Sequence, residues 1–245
     1  MRRHRNKTKP VFLIATLAIV ALLLLAASGW MFYRNRYRTA FNERETAVRV
    51  LAEHVRKTVK PKSVLLISNP FAQMQGRHPS VYTFQTAAES GAKIGFGPET
   101  KIEIAYPKLR PEALDKDNKL VDPRSRTPLS FLVAENGFDE VIRQHPESDV
   151  IFSVIGMPLN AAALPSWNRA GPPRFALLLP DFRLLGGTEA IRLAFKSGKL
   201  VAAVIPKPKA SIGADGSGDY LAEFQKRYIL VTPENLETNL HHLFR

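Results

Sequence analysis

Val11 to Tyr33 (VFLIATLAIVALLLLAASGWMFY) runs for 23 residues without a charged side chain, and no other stretch constrains the chain so strongly. At about 1.5 Å per residue a helix of that length covers roughly 34 Å, enough to cross a bilayer core. A core helix of a globular domain would show a polar face over such a length. The closer rival is a cleavable signal peptide, with residues 1–10 as its basic leader and Ala26-Ala27-Ser28 as small residues near a cleavage point. Signal peptides usually carry only about 7–15 apolar residues. Here apolar character continues into Trp30, Met31, Phe32 and Tyr33, an aromatic cluster positioned as an interfacial belt. Length and belt favour an uncleaved single-pass signal-anchor, with the lipid bilayer as partner through 11–33.

The net charge of +13 suggests nucleic acid until it is located. Arg2, Arg3, Arg5, Lys7, Lys9, Arg34, Arg36 and Arg38 flank the apolar stretch, and the first acidic residue is Glu43. The remainder holds 27 basic against 22 acidic residues, too even a balance for a nucleic-acid stripe. Most of the excess therefore suits anionic lipid headgroups. Counting Arg44 and Arg49, the basic residues on the two flanks tie, so charge alone does not orient the span. The export-signal character of residues 1–28 breaks the tie. It places the amino end in the cytoplasm and the globular part outside the inner (plasma) membrane. Cysteine is absent, which excludes disulfides, thiolate catalysis and Cys-ligated zinc.

After a basic tail (1–10) and the span (11–33), residues 34–60 read as a stalk helix. Phe41, Val48, Leu51 and Val55 share one face, and Pro61 stops it. A stripe that packs on its own domain fits better than a coiled coil, because Arg44 interrupts the seam. Residues 61–245 then alternate between apolar strands and amphipathic helices. Strands are expected at 64–67, 101–106, 150–155, 175–179, 200–205 and 228–231. Helices are expected at 80–90 with Gly91 as its stop, from a Thr127-Pro128 cap to about 144 with Gly137 as a candidate interruption, at 188–197, at 218–226, and after Thr232-Pro233. Residues 107–126 and 159–173 read as loops. Strands apolar on both faces need cover on both sides. The expected fold is a three-layer α/β sandwich with a largely parallel six-stranded sheet.

Three segments resemble type I periplasmic binding proteins of the sugar-binding kind. They are Asp149 to Val154 (DVIFSV), Ser197 to Val204 (SGKLVAAV) and Tyr228 to Leu236 (YILVTPENL), in the family's order. The resemblance implies an α/β sheet with a ligand crevice. The family's own ligand residues find no one-to-one match in this sequence.

Motifs for chemistry are sparse. The six histidines show no metal-ligand spacing, and no GxSxG elbow or GxxxxGK[ST] loop occurs. Gly95-Phe96-Gly97 lacks the third glycine of a dinucleotide fingerprint, and Asp215 to Asp219 lacks the glycine and glutamate of a calcium loop. No cofactor is implied. Ligands of open parallel sheets sit beyond the carboxyl ends of the strands. Asn69, the Asp181/Arg183 pair and Thr232, each just after a strand, are therefore the candidate binding residues, against an ordinary turn role for each. The expected function is non-catalytic binding of a small molecule or an envelope protein. A structural subunit of an envelope assembly and an enzyme using a strand-end carboxylate are the alternatives.

Overall fold

The six apolar segments form one sheet in the order β2-β1-β3-β4-β5-β6. The computed structural model describes residues 8–114, 129–208 and 219–244, with the side chains of 8–16, 18 and 32–40 outside the description. The strands are β1 (Ser63–Ile67), β2 (Lys101–Ala105), β3 (Val150–Ser153), β4 (Arg174–Leu178), β5 (Leu200–Pro206) and β6 (Tyr228–Val231). All neighbouring pairs from β2 through β5 are parallel. Only β6 runs antiparallel, with Ala203 opposite Val231 and Pro206 opposite Tyr228.

Alternate residues of each strand feed two cores. On one face Val64, Leu66, Phe152, Leu178 and Val204 pack against α1 (Thr8–Val59), α2 (Pro79–Phe96) and Phe224 of α8 (Tyr220–Arg227). On the other, Leu65, Ile67, Ile151, Leu177 and Ile205 meet α5 (Gly137–Gln144), α6 (Pro165–Asn168), α7 (Thr188–Lys196) and α9 (Leu236–Asn239). Short helices α3 (Pro111–Leu114) and α4 (Leu129–Leu132) complete the described elements. Edge-on rings key the layers together at 5.2 Å, Phe96 on Phe152 and Trp167 on Phe175. Each fully buried large apolar side chain contributes about 1.5–3 kcal/mol.

The chain divides into two compact units after Ala40. In the first, α1 is continuous helix, and Leu22 to Leu25, Trp30 and Met31 are each about two-thirds exposed. Among the described residues no helix is long and apolar enough to cross a membrane. Within Val11–Tyr33, the described side chains are those of Leu17 and Ile19–Met31. In the second unit, the last turns of α1 are core. Val48, Leu51 and Val55 have no exposed surface, so this stripe is part of the core of the second unit.

The structure departs from the sequence reading in some details. Gly91 does not stop α2, which continues to Phe96 and ends at Gly97 with φ +74°. Gly91 and Gly95 instead let α2 lie against α1: an added Cβ would stand 2.4 Å from the Glu45 carbonyl oxygen at the first and 2.6 Å from Ala52 Cβ at the second. The loop over 159–173 contains a short 3-10 turn (Ala161–Ala163) and α6. The Thr127-Pro128 cap and the Asp215–Gly218 turn lie outside the described residues.

Candidate functional site

Strand order sets where a crevice can open. β1 connects outward to β2, and β3 lies on β1's other side, so the connections diverge between β1 and β3. Such a switch point leaves a gap at the carboxyl ends of the two strands. Its rim is Ser68-Asn69 after β1 and Val154 to Gly156 after β3, with the Val154 N–H donating to the Ile67 carbonyl at 3.0 Å.

Arg44 of α1 reaches this edge. Its Nη2 donates to the Val154 carbonyl at 2.7 Å, and its Cζ lies 5.7 Å from the Phe84 ring centroid. Its Nε is buried without a hydrogen-bond partner. Burial pushes the guanidinium down to about 10, with the Tyr228 phenol opposing, so it keeps its charge at neutral pH. No carboxylate pairs with it among the described residues. A buried cation held by one carbonyl is costly unless something else compensates it.

Beside Arg44 lies a polar chain. Ser68, fully buried, donates its hydroxyl to Gln85 Oε1, and Gln85 Nε2 donates to Glu89 and, at 3.1 Å, to the Tyr106 hydroxyl. Burial first, then Glu89, raises the Tyr106 phenol above its ordinary value. Ser153 Oγ donates to the Gly156 carbonyl at 2.5 Å. After β4, Leu179 holds φ +49°, a left-handed conformation costly for a side chain of its kind.

The residues expected from sequence fare unevenly. Asn69 is on the rim, but its Oδ1 caps the 3-10 turn Pro70–Gln73 by accepting from the Phe71 N–H at 3.0 Å. Asp181 and Arg183 are at the carboxyl end of β4 and satisfy each other through Nε–Oδ1 at 2.8 Å and Nη2–Oδ2 at 2.6 Å. The Arg183 guanidinium holds the Asp181 carboxyl below its usual range, which makes it a poor proton carrier. Thr232 is not brought to this edge at all. Because β6 is reversed, Thr232 follows its end at the opposite, amino edge, where its N–H donates to Asn235 Oδ1 at 2.8 Å.

Sequence reading passed over Arg44, Ser68, Gln85 and Tyr106. The one available signal was Arg44 itself, a lone cation on the apolar stripe of its helix. It also missed an ion-pair cluster. His145 Nδ1 lies 2.6 Å from Glu103 Oε2, Lys101 pairs with the same carboxylate, and Glu147 is 4.0 Å from His145. These three ligand-type residues, Glu103, His145 and Glu147, lie close enough for a metal, but Lys101 and His145 already compensate Glu103.

No family model matches the chain, and no curated protein matches it. Solved structures similar to it include an ABC transporter solute binding protein from Burkholderia graminis C4D1M in complex with D-arabinose (15% identity, 78% of this chain and 60% of that one, TM-score 0.44). Others are a periplasmic solute binding protein from Actinobacillus succinogenes 130z with bound D-allose (14%, 80% and 61%, 0.44) and an arabinose binding protein from Geobacillus stearothermophilus (13%, 80% and 62%, 0.43). The chain spans about six-tenths of the length of these structures. They are of the kind that the three strand segments resemble. The fold assignment itself rests on the strand order and pairing described above.

Proposed function

We propose that this chain is a membrane-tethered binding protein, with 11–33 as the tether and the globular unit outside the inner membrane. It holds a small molecule at the crevice beyond the carboxyl ends of β1 and β3. The observation that carries the binding reading is Arg44, a buried guanidinium at the switch point with an unpartnered Nε. A ligand carrying a carboxylate, phosphate or similar acceptor supplies what that cation lacks. The mutual pairing of Asp181 and Arg183 supports binding over acid–base catalysis at that strand end. The tether reading is supported by the 23 uncharged residues, their basic flanks and the exposed leucines.

Thermal-shift measurements on the full chain in detergent micelles, against sugars, sugar acids, amino acids and small phosphates, test the binding reading. Ligand at about 100 times its Kd adds about 2.7 kcal/mol, a rise of about 5–11 °C for a domain of this size. Arg44→Leu is expected to abolish the rise. Silence from every class removes the proposal, and an equal rise in Arg44→Leu moves the ligand elsewhere. For the tether, the chain should stay in the membrane pellet through alkaline washing, and protease added outside spheroplasts should digest the globular unit. Release by the wash, or protection from protease, overturns that part.

A further inference from the structure

The opposite edge of the sheet carries a cleft that the reading above does not use. At the amino ends of β4 and β5, a hollow of about 470 Å³ lies between the 167–174 segment and α7. That volume is within the range of small-molecule pockets, about 300–1,000 Å³. Its lining includes Trp167, Arg169, Arg174, Leu193, Ala194 and Lys199, and no acidic residue lines it. Among the described residues neither Arg169 nor Arg174 makes an ion pair, and both are exposed.

Lys199 is a different kind of cation. It is 8% exposed and donates to the carbonyls of Ser166, Gly171 and Pro173 at 3.2, 2.8 and 3.0 Å. All three of its N–H groups are used, so it fixes the rim of the cleft and leaves its charge beneath it. Three cations thus line one concave surface, with no ion-pair partner for them among the described residues. The wall opposite is apolar: Leu193, on a short helix, is 65% exposed, and Ala194 sits beside it.

We propose that this amino-edge cleft binds a small anion bearing an apolar ring or chain, its carboxylate or phosphate held between Arg169 and Arg174 and its apolar body laid on Leu193. Guanidinium groups match both oxyanions in bidentate geometry. Lys199 positions the segment that carries Trp167 and Arg169, and contributes charge without touching the ligand.

Titration calorimetry on the full chain in detergent tests the site, with benzoate and phenyl phosphate as the two anionic probes and benzyl alcohol as the neutral control. At least one anion is expected to bind, at least about tenfold tighter than the alcohol. Arg169→Gln/Arg174→Gln should weaken it at least about tenfold, and Leu193→Glu should do the same; both variants change exposed side chains and should keep the native melting curve. Which anion binds tighter tells carboxylate from phosphate. Heat from neither anion, equal affinity for benzyl alcohol, or unchanged affinity in the double variant overturns the proposal. Because Arg44 lies on the other edge, Arg44→Leu is expected to leave this binding unchanged.

Discussion

The two edges of the sheet solve the problem of polar groups in opposite ways. At the carboxyl edge the side chains close on each other: Ser68 with Gln85, Gln85 with Tyr106 and Glu89, Asp181 with Arg183. One cation, Arg44, is left short of a partner, and it is buried. At the amino edge the buried cation, Lys199, is saturated by carbonyls, and the unpaired cations Arg169 and Arg174 face an open cleft. Each edge also has a non-glycine residue in a left-handed conformation, Leu179 at one and Lys60 at the other. Topology thus singles out one edge and charge balance the other. A site needs unmet valence as well as a position, and unmet valence can be read residue by residue.

The largest effect that separates the edges is expected at Lys199. Lys199→Met keeps the stem but strips three carbonyls of their donor, and chemical denaturation should show a loss of about 2–4 kcal/mol. A change within about 0.5 kcal/mol would mean that the amino edge is not held by this side chain. Next comes the seat of Arg44. Gly95→Ala drives a Cβ to within 2.6 Å of Ala52 Cβ and 2.7 Å of the Arg49 carbonyl oxygen, and should cost about 1–3 kcal/mol by parting α1 from α2. The same assay reads it, and a neutral result would show that the helices yield without cost.

Arg44→Leu should change stability by less, about 1 kcal/mol in either direction, because removing an unpaired buried cation offsets the lost bond to Val154. A loss above about 3 kcal/mol would show that Arg44 is already compensated, and would undo the contrast between the edges. The smallest effect concerns His54 on α1. Burial holds its imidazole below the ordinary value of 6.5, with Glu234 opposing. The folded chain therefore favours the neutral ring. Its contribution is complete above about pH 6.5 and is lost as pH falls through the lower folded value. Melting curves from pH 7.5 to 5 should fall less steeply for His54→Gln than for the wild type, and parallel curves would remove His54 from the account.

Much of the fold was legible in the sequence, because each strand carries its own apolar run and its own stop. All six expected strands are present within a residue or two of their observed ends. What local pattern does not contain is direction. α8 ends at Arg227 and β6 begins at Tyr228 with no residue between, so nothing in the sequence announced the reversal that takes Thr232 to the far edge. Gly91 was misleading for a related reason. A glycine at a helix end and a glycine under a neighbouring helix look alike until the neighbour is in place. The site was less legible than the fold. Arg44 stood out only as a flaw in an apolar stripe, and Lys199 lay inside a strand-like segment whose resemblance drew attention to its apolar residues.

The burial of Val48, Leu51 and Val55 has a consequence for proteolytic release. A cut among residues 34–40 would leave the second unit, Phe41–Arg245, with every core residue described for it. A cut near Lys57 to Pro61 would sever from β1 one of the helices that cover one face of the sheet, leaving Val64, Leu66 and Phe152 to the contacts of α2 and α8. Two cleavage points some twenty residues apart would thus have unlike products: the first keeps the covering helix with its sheet, and the second parts them.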